Sequence, residues 1–355
     1  MQRTRVLVVE DSPTVRRRIC DILQADSGIE LIGEAADGLQ AITLCEAAKP
    51  DVVTMDMMLP KLTGLQATEH IMARCPTPIL VVSASVNRGE LFRTYDALAA
   101  GAVDVLEKPT GTEPDDAWEH KLVSMVKLVG RIQVVTRPMA RPGRGSVIAT
   151  MEQTRHTAPS RFPCEVIAIG ASTGGPAAIV EILRGLPSSF RLPIMFVLHL
   201  NEVFGAAFPD WLGAQTGRVV SFVRDGERVA AAAGRVIMAP AGEHVVVRDG
   251  RLHRTHGPER HSCRPSIDVL FDSVAEDYGP RAAACLLTGM GRDGAQGLLA
   301  LRRAGGVTIA QDEASSVIYG MPREASLLGA AERVLSLDEI APALLSLDVK
   351  AETAR

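Results

Sequence analysis

Short apolar runs, each closed by a polar residue or a glycine and followed by a helical pattern, recur along this chain and restrict it to an open α/β architecture. Val6 to Glu10, Ile29 to Glu34, Asp51 to Asp56, Ile79 to Ser83 and Ala102 to Glu107 read as five strands with helices between them. The first helix is expected to start at Ser12-Pro13-Thr14 and run through Gln24, because serine caps a helix and proline fits its first turn. Strands that alternate with helices imply a parallel sheet covered on both faces. The rhythm stops near Arg131. From there to about Phe162 the chain holds six arginines with Pro138, Pro142, Gly143, Gly145 and Pro159, and no apolar period. Such a composition cannot bury a core and reads as a flexible linker. A second α/β unit follows, with a hairpin expected at His244 to Arg254 turned by Asp249-Gly250. The expected division is residues 1–125, a linker over 126–162, a second domain over 163–347 and a tail over 348–355.

Charge and cysteine usage narrow the function. With 38 Lys and Arg against 42 Asp and Glu, the chain has no electrostatic case for nucleic acid. Its six cysteines are scattered without a C-x-x-C pair, so neither a disulfide frame nor a zinc site is expected. The N-terminus enters a strand pattern without a signal-peptide region. No stretch reaches the roughly 18 apolar residues of a membrane span, so a cytoplasmic protein without membrane insertion is expected.

The second unit carries the sharpest local signal. Val166-Ile167-Ala168-Ile169-Gly170-Ala171 reads as a buried strand that stops at Ser172-Thr173-Gly174-Gly175, and Pro176 then opens a helix. A serine on such a turn stands at the tip of a sheet, near N–H groups able to hold an oxyanion. It needs a base. The next apolar run, Ile194 to Leu198, ends on His199, and a later one, Ala284 to Leu287, leads to Asp293. All three lie at or just past the carboxyl ends of strands, where open α/β sheets place their sites. Taken singly, each has an ordinary explanation: a turn serine, a strand-end histidine, a helix cap before Gly294. The glycine turn lacks the G-x-G-x-x-G spacing of a dinucleotide site. None of Tyr95, Tyr278 or Tyr319 precedes a lysine by four, as a short-chain dehydrogenase needs. The order serine, histidine, aspartate also differs from that of an α/β-hydrolase.

In the first unit, Glu10 and Asp11 close the first strand, Asp56 the third and Ser83 the fourth, and Lys108 follows the fifth. Clustered carboxylates are costly without a cation, and an all-oxygen set favours Mg²⁺. Asp56 is then a nucleophile towards phosphorus, with Ser83 and Lys108 placed to meet the phosphoryl group.

These residues, with Pro60, Ala84 and Pro109, resemble a response-regulator receiver domain of the flavodoxin-like five-stranded type. The resemblance implies phosphorylation at Asp56 by a chemotaxis histidine kinase, with Glu10, Asp11 and Asp56 holding the metal. One departure is Val105, where such domains usually carry an aromatic residue that swings inward on phosphorylation. The second unit resembles the CheB family of chemotaxis methylesterases through Gly170 to Gly175, Arg264-Pro265-Ser266-Ile267-Asp268, Leu287 to Ala295, Ala310-Gln311-Asp312-Glu313 and Gly320-Met321-Pro322. A receiver in front is that family's arrangement.

The resemblance implies an α/β catalytic domain with a mainly parallel sheet. It makes Ser172 the nucleophile, His199 the general base and Asp293 its orienting acid, with Thr173 and the Met290 N–H on the oxyanion side. Its substrates are glutamate methyl esters, and glutamine amides, of methyl-accepting chemoreceptors, and hydrolysis needs no cofactor. The competing reading is a receiver-linked scaffold without hydrolase activity. Two stretches depart from the family pattern, Leu200-Asn201-Glu202 and Cys263. Both are expected to line the cleft without touching the chemistry. His253, His256 and His261 lack ligand spacing and are expected to be ordinary surface histidines.

Overall fold

In a computed structural model of the chain, residues 3–84, 87–109, 115–132 and 162–348 are described. The N-terminal unit runs β1 (Thr4–Val9), α1 (Pro13–Ala25), β2 (Ile29–Ala35), α2 (Gly38–Ala48), β3 (Val52–Met55), α3 (Gly64–Arg74), β4 (Ile79–Ser83), α4 (Arg88–Ala99), β5 (Asp104–Glu107) and α5 (Asp115–Val129). Its strands pair in parallel in the order β2-β1-β3-β4-β5. All five expected strands form, with ends that differ by at most two residues: β1 starts two residues earlier, Glu10, Asp51 and Asp56 lie just outside their strands, β2 runs one residue further, and β5 starts at Asp104 and keeps Glu107. Ser12 caps α1 as expected, its side chain accepting from Val15 N. The helix α5 continues past residue 125, and most of the expected linker lies outside the described residues.

The C-terminal unit contains β6 (Val166–Ala171), α6 (Gly175–Gly185), β7 (Ile194–Leu198), α7 (Glu202–Gly205), α8 (Phe208–Thr216), β8 (Val220–Phe222), β9 (Val236–Met238), β10 (His244–Arg248) and β11 (Arg251–Thr255). It continues with α9 (Ile267–Asp277), β12 (Ala282–Leu286), α10 (Ala295–Arg303), β13 (Val307–Gln311), α11 (Met321–Leu327), β14 (Arg333–Leu335) and α12 (Leu337–Leu345). Seven strands form one sheet in the order β14-β13-β12-β6-β7-β9-β8, paired in parallel, while β10 and β11 make the expected antiparallel hairpin. In β6, every residue from Val166 to Ala171 is buried, as a central strand covered by helices on both faces requires. The chain turns one way from β6 to β7 and reaches β12 on the other side, so the carboxyl end of β6 is a switch point of the sheet, the usual place for a site.

The two units share a seam. Tyr95 of α4 is fully buried against Phe208 and Trp211 of α8, with ring centroids 5.4 Å away in each case. Its hydroxyl donates to the Phe204 carbonyl at 2.6 Å, and Trp211 Nε1 donates to Asp96 at 2.8 Å. Buried aromatic rings whose polar tips find partners are how a stable interface is anchored. An outer ion pair between Arg88 and Asp210 is exposed on both sides and adds little.

Candidate active site and phosphorylation site

Ser172 follows directly on β6, and the turn behind it is sharp because Gly174 takes a φ of 78°, a conformation that favours glycine. Its backbone N–H donates to the Thr288 carbonyl at 3.0 Å, which pins the loop after β12 beside the serine. That loop passes so close that a Cβ on Gly289 would sit 2.6 Å from the Ser172 Cβ. The end of β7 contributes His199. Ala171 lies opposite Leu198 in the β6–β7 ladder, and His199 N donates to the Ala171 carbonyl at 3.1 Å. Adjacent strand ends therefore deliver the serine and the histidine side by side.

Asp293 reaches the histidine from the loop after β12. Its Oδ2 lies 3.0 Å from His199 Nε2. The carboxylate is 2 % exposed and also accepts from Ser266 Oγ, from the N–H groups of Ile267 and Asp268 at the start of α9, and from Gly294 N. Burial pushes this carboxyl up, but the His199, Ser266 and Ile267 hydrogen bonds outweigh it, and its pKa falls below the usual value. The helix start adds favourable dipole for the anion. For His199, burial pulls the pKa down, yet the hydrogen bonds to Asp293 and to Cys263 raise it to about 9. With Nε2 turned to Asp293, Nδ1 is the nitrogen left for Ser172. Among the described residues no Ser172–His199 hydrogen bond forms; such contacts commonly tighten only when substrate binds.

The expected oxyanion side consists of the backbone N–H groups of Thr173 and Met290. Among the described residues, the N–H groups of Thr173 and Met290 have no acceptor within the fold, and the Met290 side chain is exposed. The Thr173 hydroxyl, however, donates to Asp104 of β5 at 2.6 Å. The neighbour of the serine is thus tied to the N-terminal unit, one residue from the Val105 that replaces the usual aromatic. Asp104 is half-buried by area, but its carboxylate lies deep in the seam, where burial raises its pKa against the opposing Thr173 bond.

At the other sheet, the carboxylates of Glu10, Asp11 and Asp56 have oxygens within 4.8 Å of one another. Lys108 Nζ lies 2.7 Å from Glu10 and 3.1 Å from Asp56. Burial pushes both the Glu10 and Asp56 carboxyls up, with Lys108 opposing it. Burial draws Lys108 down, but the two acids prevail and its pKa rises. Ser83 Oγ is buried and, among the described residues, has no hydrogen-bond partner. An all-oxygen acidic set facing one ammonium and one orphan hydroxyl suits a hard divalent cation and an added anion.

The family model for response-regulator receiver domains matches residues 6–115, and that for the CheB methylesterase matches residues 167–344. The chain is 42% identical over 344 residues to protein-glutamate methylesterase/protein-glutamine glutaminase 2 of Anaeromyxobacter dehalogenans, which covers 97% of this chain and 96% of that one. It is 44% identical over 349 residues to the protein of the same name from Nitrosospira multiformis, covering 96% of each. The chain belongs to the CheB methylesterase family.

Two expectations, one drawn from the family pattern and one from ligand spacing, need correction. Cys263 was expected to stay clear of the chemistry, yet its Sγ lies 3.9 Å from His199 Nδ1. His261 is not an ordinary surface histidine in this CheB-family chain. It is half-buried, its Nε2 lies 3.1 Å from the fully buried Asp268, and Arg292 Nε donates to its Nδ1 at 3.2 Å. Both corrections have one cause. The Arg260–Cys263 loop closes on itself through reciprocal backbone bonds, with His261 and Ser262 both at positive φ, and so turns these side chains inward. Nothing in the local sequence signals that closure. Among the described residues, no helix is long and apolar enough to cross a membrane.

Proposed function

We propose that the chain is a phosphorylation-activated esterase that hydrolyses glutamate methyl esters of chemoreceptors and deamidates receptor glutamines. The observation that carries this reading is the His199–Asp293 hydrogen bond at the strand end next to Ser172. Ser172 Oγ attacks the ester carbonyl while His199 Nδ1 takes its proton. The tetrahedral oxyanion is met by the N–H groups of Thr173 and Met290. His199 then protonates the departing methoxide, releasing methanol, and water hydrolyses the acyl-serine by the reverse proton path. A glutamine amide follows the same route with ammonia as the leaving group. Asp293 holds the ring in register and stabilises the imidazolium.

In the receiver unit, Asp56 takes the phosphoryl group from a chemotaxis histidine kinase. Ser83 donates to a phosphoryl oxygen and Lys108 balances its charge. Glu10, Asp11 and Asp56 would hold Mg²⁺, which would supply charge neutralisation between these acids and the incoming phosphate. Methanol release from methylated receptor membranes tests the enzymatic half. Purified wild-type protein should release methanol and Ser172→Ala should not; equal release by the two would remove Ser172 from its role.

A further inference from the structure

Cys263 stands against the ring nitrogen that faces away from Asp293. Its Sγ is 3.9 Å from His199 Nδ1, and the sulfur, imidazole and Asp293 carboxylate donors all lie within 4.8 Å of one another. A tetrahedral zinc ion with bonds of about 2.3 Å to sulfur and about 2.0 Å to nitrogen holds the two donors roughly 3.5 Å apart. The pair needs to close by only a few tenths of an ångström. The other side of the ring is already arranged as metal sites arrange it: Nε2 bonds a carboxylate, which fixes the ring's orientation and strengthens the opposite nitrogen as a ligand. Two consecutive non-glycine residues at positive φ, His261 at 54° and Ser262 at 59°, immediately precede Cys263. Backbone in that region is costly and is kept where geometry at a site requires it.

We propose that Cys263 and His199, oriented by Asp293, form a binding site for a soft divalent cation of the zinc class, and that the bound ion shuts the esterase. Thiolate and imidazole select zinc-type ions, whereas the all-oxygen set of Glu10, Asp11 and Asp56 selects magnesium, so the two sites take chemically different metals. Binding breaks the S–H bond of Cys263 and releases that proton, with any proton on Nδ1, to solvent. The ion then occupies the Nδ1 lone pair, the same pair that accepts the Ser172 proton. The inhibitory half rests on the role proposed above for His199; the binding half does not.

The two halves separate in one experiment on the full chain, stripped with a chelator and returned to saturating Mg²⁺ so that the acidic site is filled. Cobalt(II) serves as the spectroscopic probe and Zn²⁺ as the inhibitor. Wild-type protein should develop the near-ultraviolet thiolate-to-cobalt band. It should lose methanol release in step with zinc occupancy and recover it on chelation. Cys263→Ala and Cys263→Ser should lack the band and need at least tenfold more zinc for half inhibition, each measured against its own metal-free rate. No thiolate band in the wild type, or zinc inhibition unchanged in both variants, overturns the site. A band without inhibition overturns the inhibitory half and removes His199 from its role as base.

Discussion

At the scale of single residues, the protonation of His199, the base proposed above, gives the predicted pH dependence of both rate and stability. Its pKa of about 9, against an ordinary 6.5, means that the imidazole is largely protonated at neutral pH in this conformation. A general base must be neutral, so kcat/KM for ester hydrolysis should climb with pH and level off near pH 9. Asp293→Asn removes the partner that most raises this pKa. Its pH profile should level off at lower pH, with a plateau reduced by up to about 10⁴-fold by analogy with serine proteases. A rising limb at the same pH in both proteins would contradict the pairing. The stability consequence has the opposite sign. A group whose pKa is raised on folding contributes its full share below pH 6.5 and loses it as pH rises through about 9. The gap in urea midpoint between wild type and Asp293→Asn should therefore shrink across that window.

At the scale of elements, the strands and their terminal residues were legible because burial on two faces leaves near-continuous apolar runs. Val166–Ala171 and Ile194–Leu198 stand out for this reason, and the polar residue that ends each run marks the functional edge. Ser172, His199 and Asp293 were readable as strand-end residues, as were Glu10, Asp56, Ser83 and Lys108. What stayed hidden was every contact made across the seam or around a closed loop. Asp104 and Thr173 are 69 positions apart, Cys263 and His199 are 64 apart, and neither Tyr95 nor Asp96 differs in sequence from an ordinary helix residue. These contacts form only when two finished units meet or a loop folds back. The seam yields its own prediction. Truncating a fully buried aromatic costs about 3–5 kcal/mol where the cavity persists. Tyr95→Ala should spend that loss on α4–α8 docking, and basal methanol release without phosphodonor should rise. Asp104→Ala, which frees the Thr173 hydroxyl, should act in the same direction with a smaller effect. Basal rates equal to wild type in both variants would show that the seam does not restrain the enzyme.

At the scale of the whole molecule, the edge carrying Asp56, proposed to accept phosphate, and Ser172 lie in different sheets, joined through β5, α4 and the Thr173 turn. Asp56 phosphorylation can act on the serine only if the receiver surface binds the catalytic unit differently in the two states. Ser83 and Lys108 lie at the carboxyl edge of β4 and just past β5, and Asp104 opens β5, so a displacement of β5 reaches the Thr173 contact without a swinging aromatic at Val105. A fragment beginning near Arg161 carries its own seven-stranded sheet. It should fold alone, hydrolyse receptor esters faster than the unphosphorylated full chain and ignore phosphodonor. Asp56→Asn should remain unlabelled at that position. The most direct test of a receiver-gated serine esterase is methanol release from methylated receptor membranes by the full chain, with and without a small-molecule phosphodonor and Mg²⁺, beside Asp56→Asn. Phosphodonor should accelerate the wild type towards the rate of the isolated catalytic fragment and leave Asp56→Asn unchanged. A wild-type rate indifferent to phosphodonor, or an Asp56→Asn protein stimulated as strongly as wild type, would contradict the account.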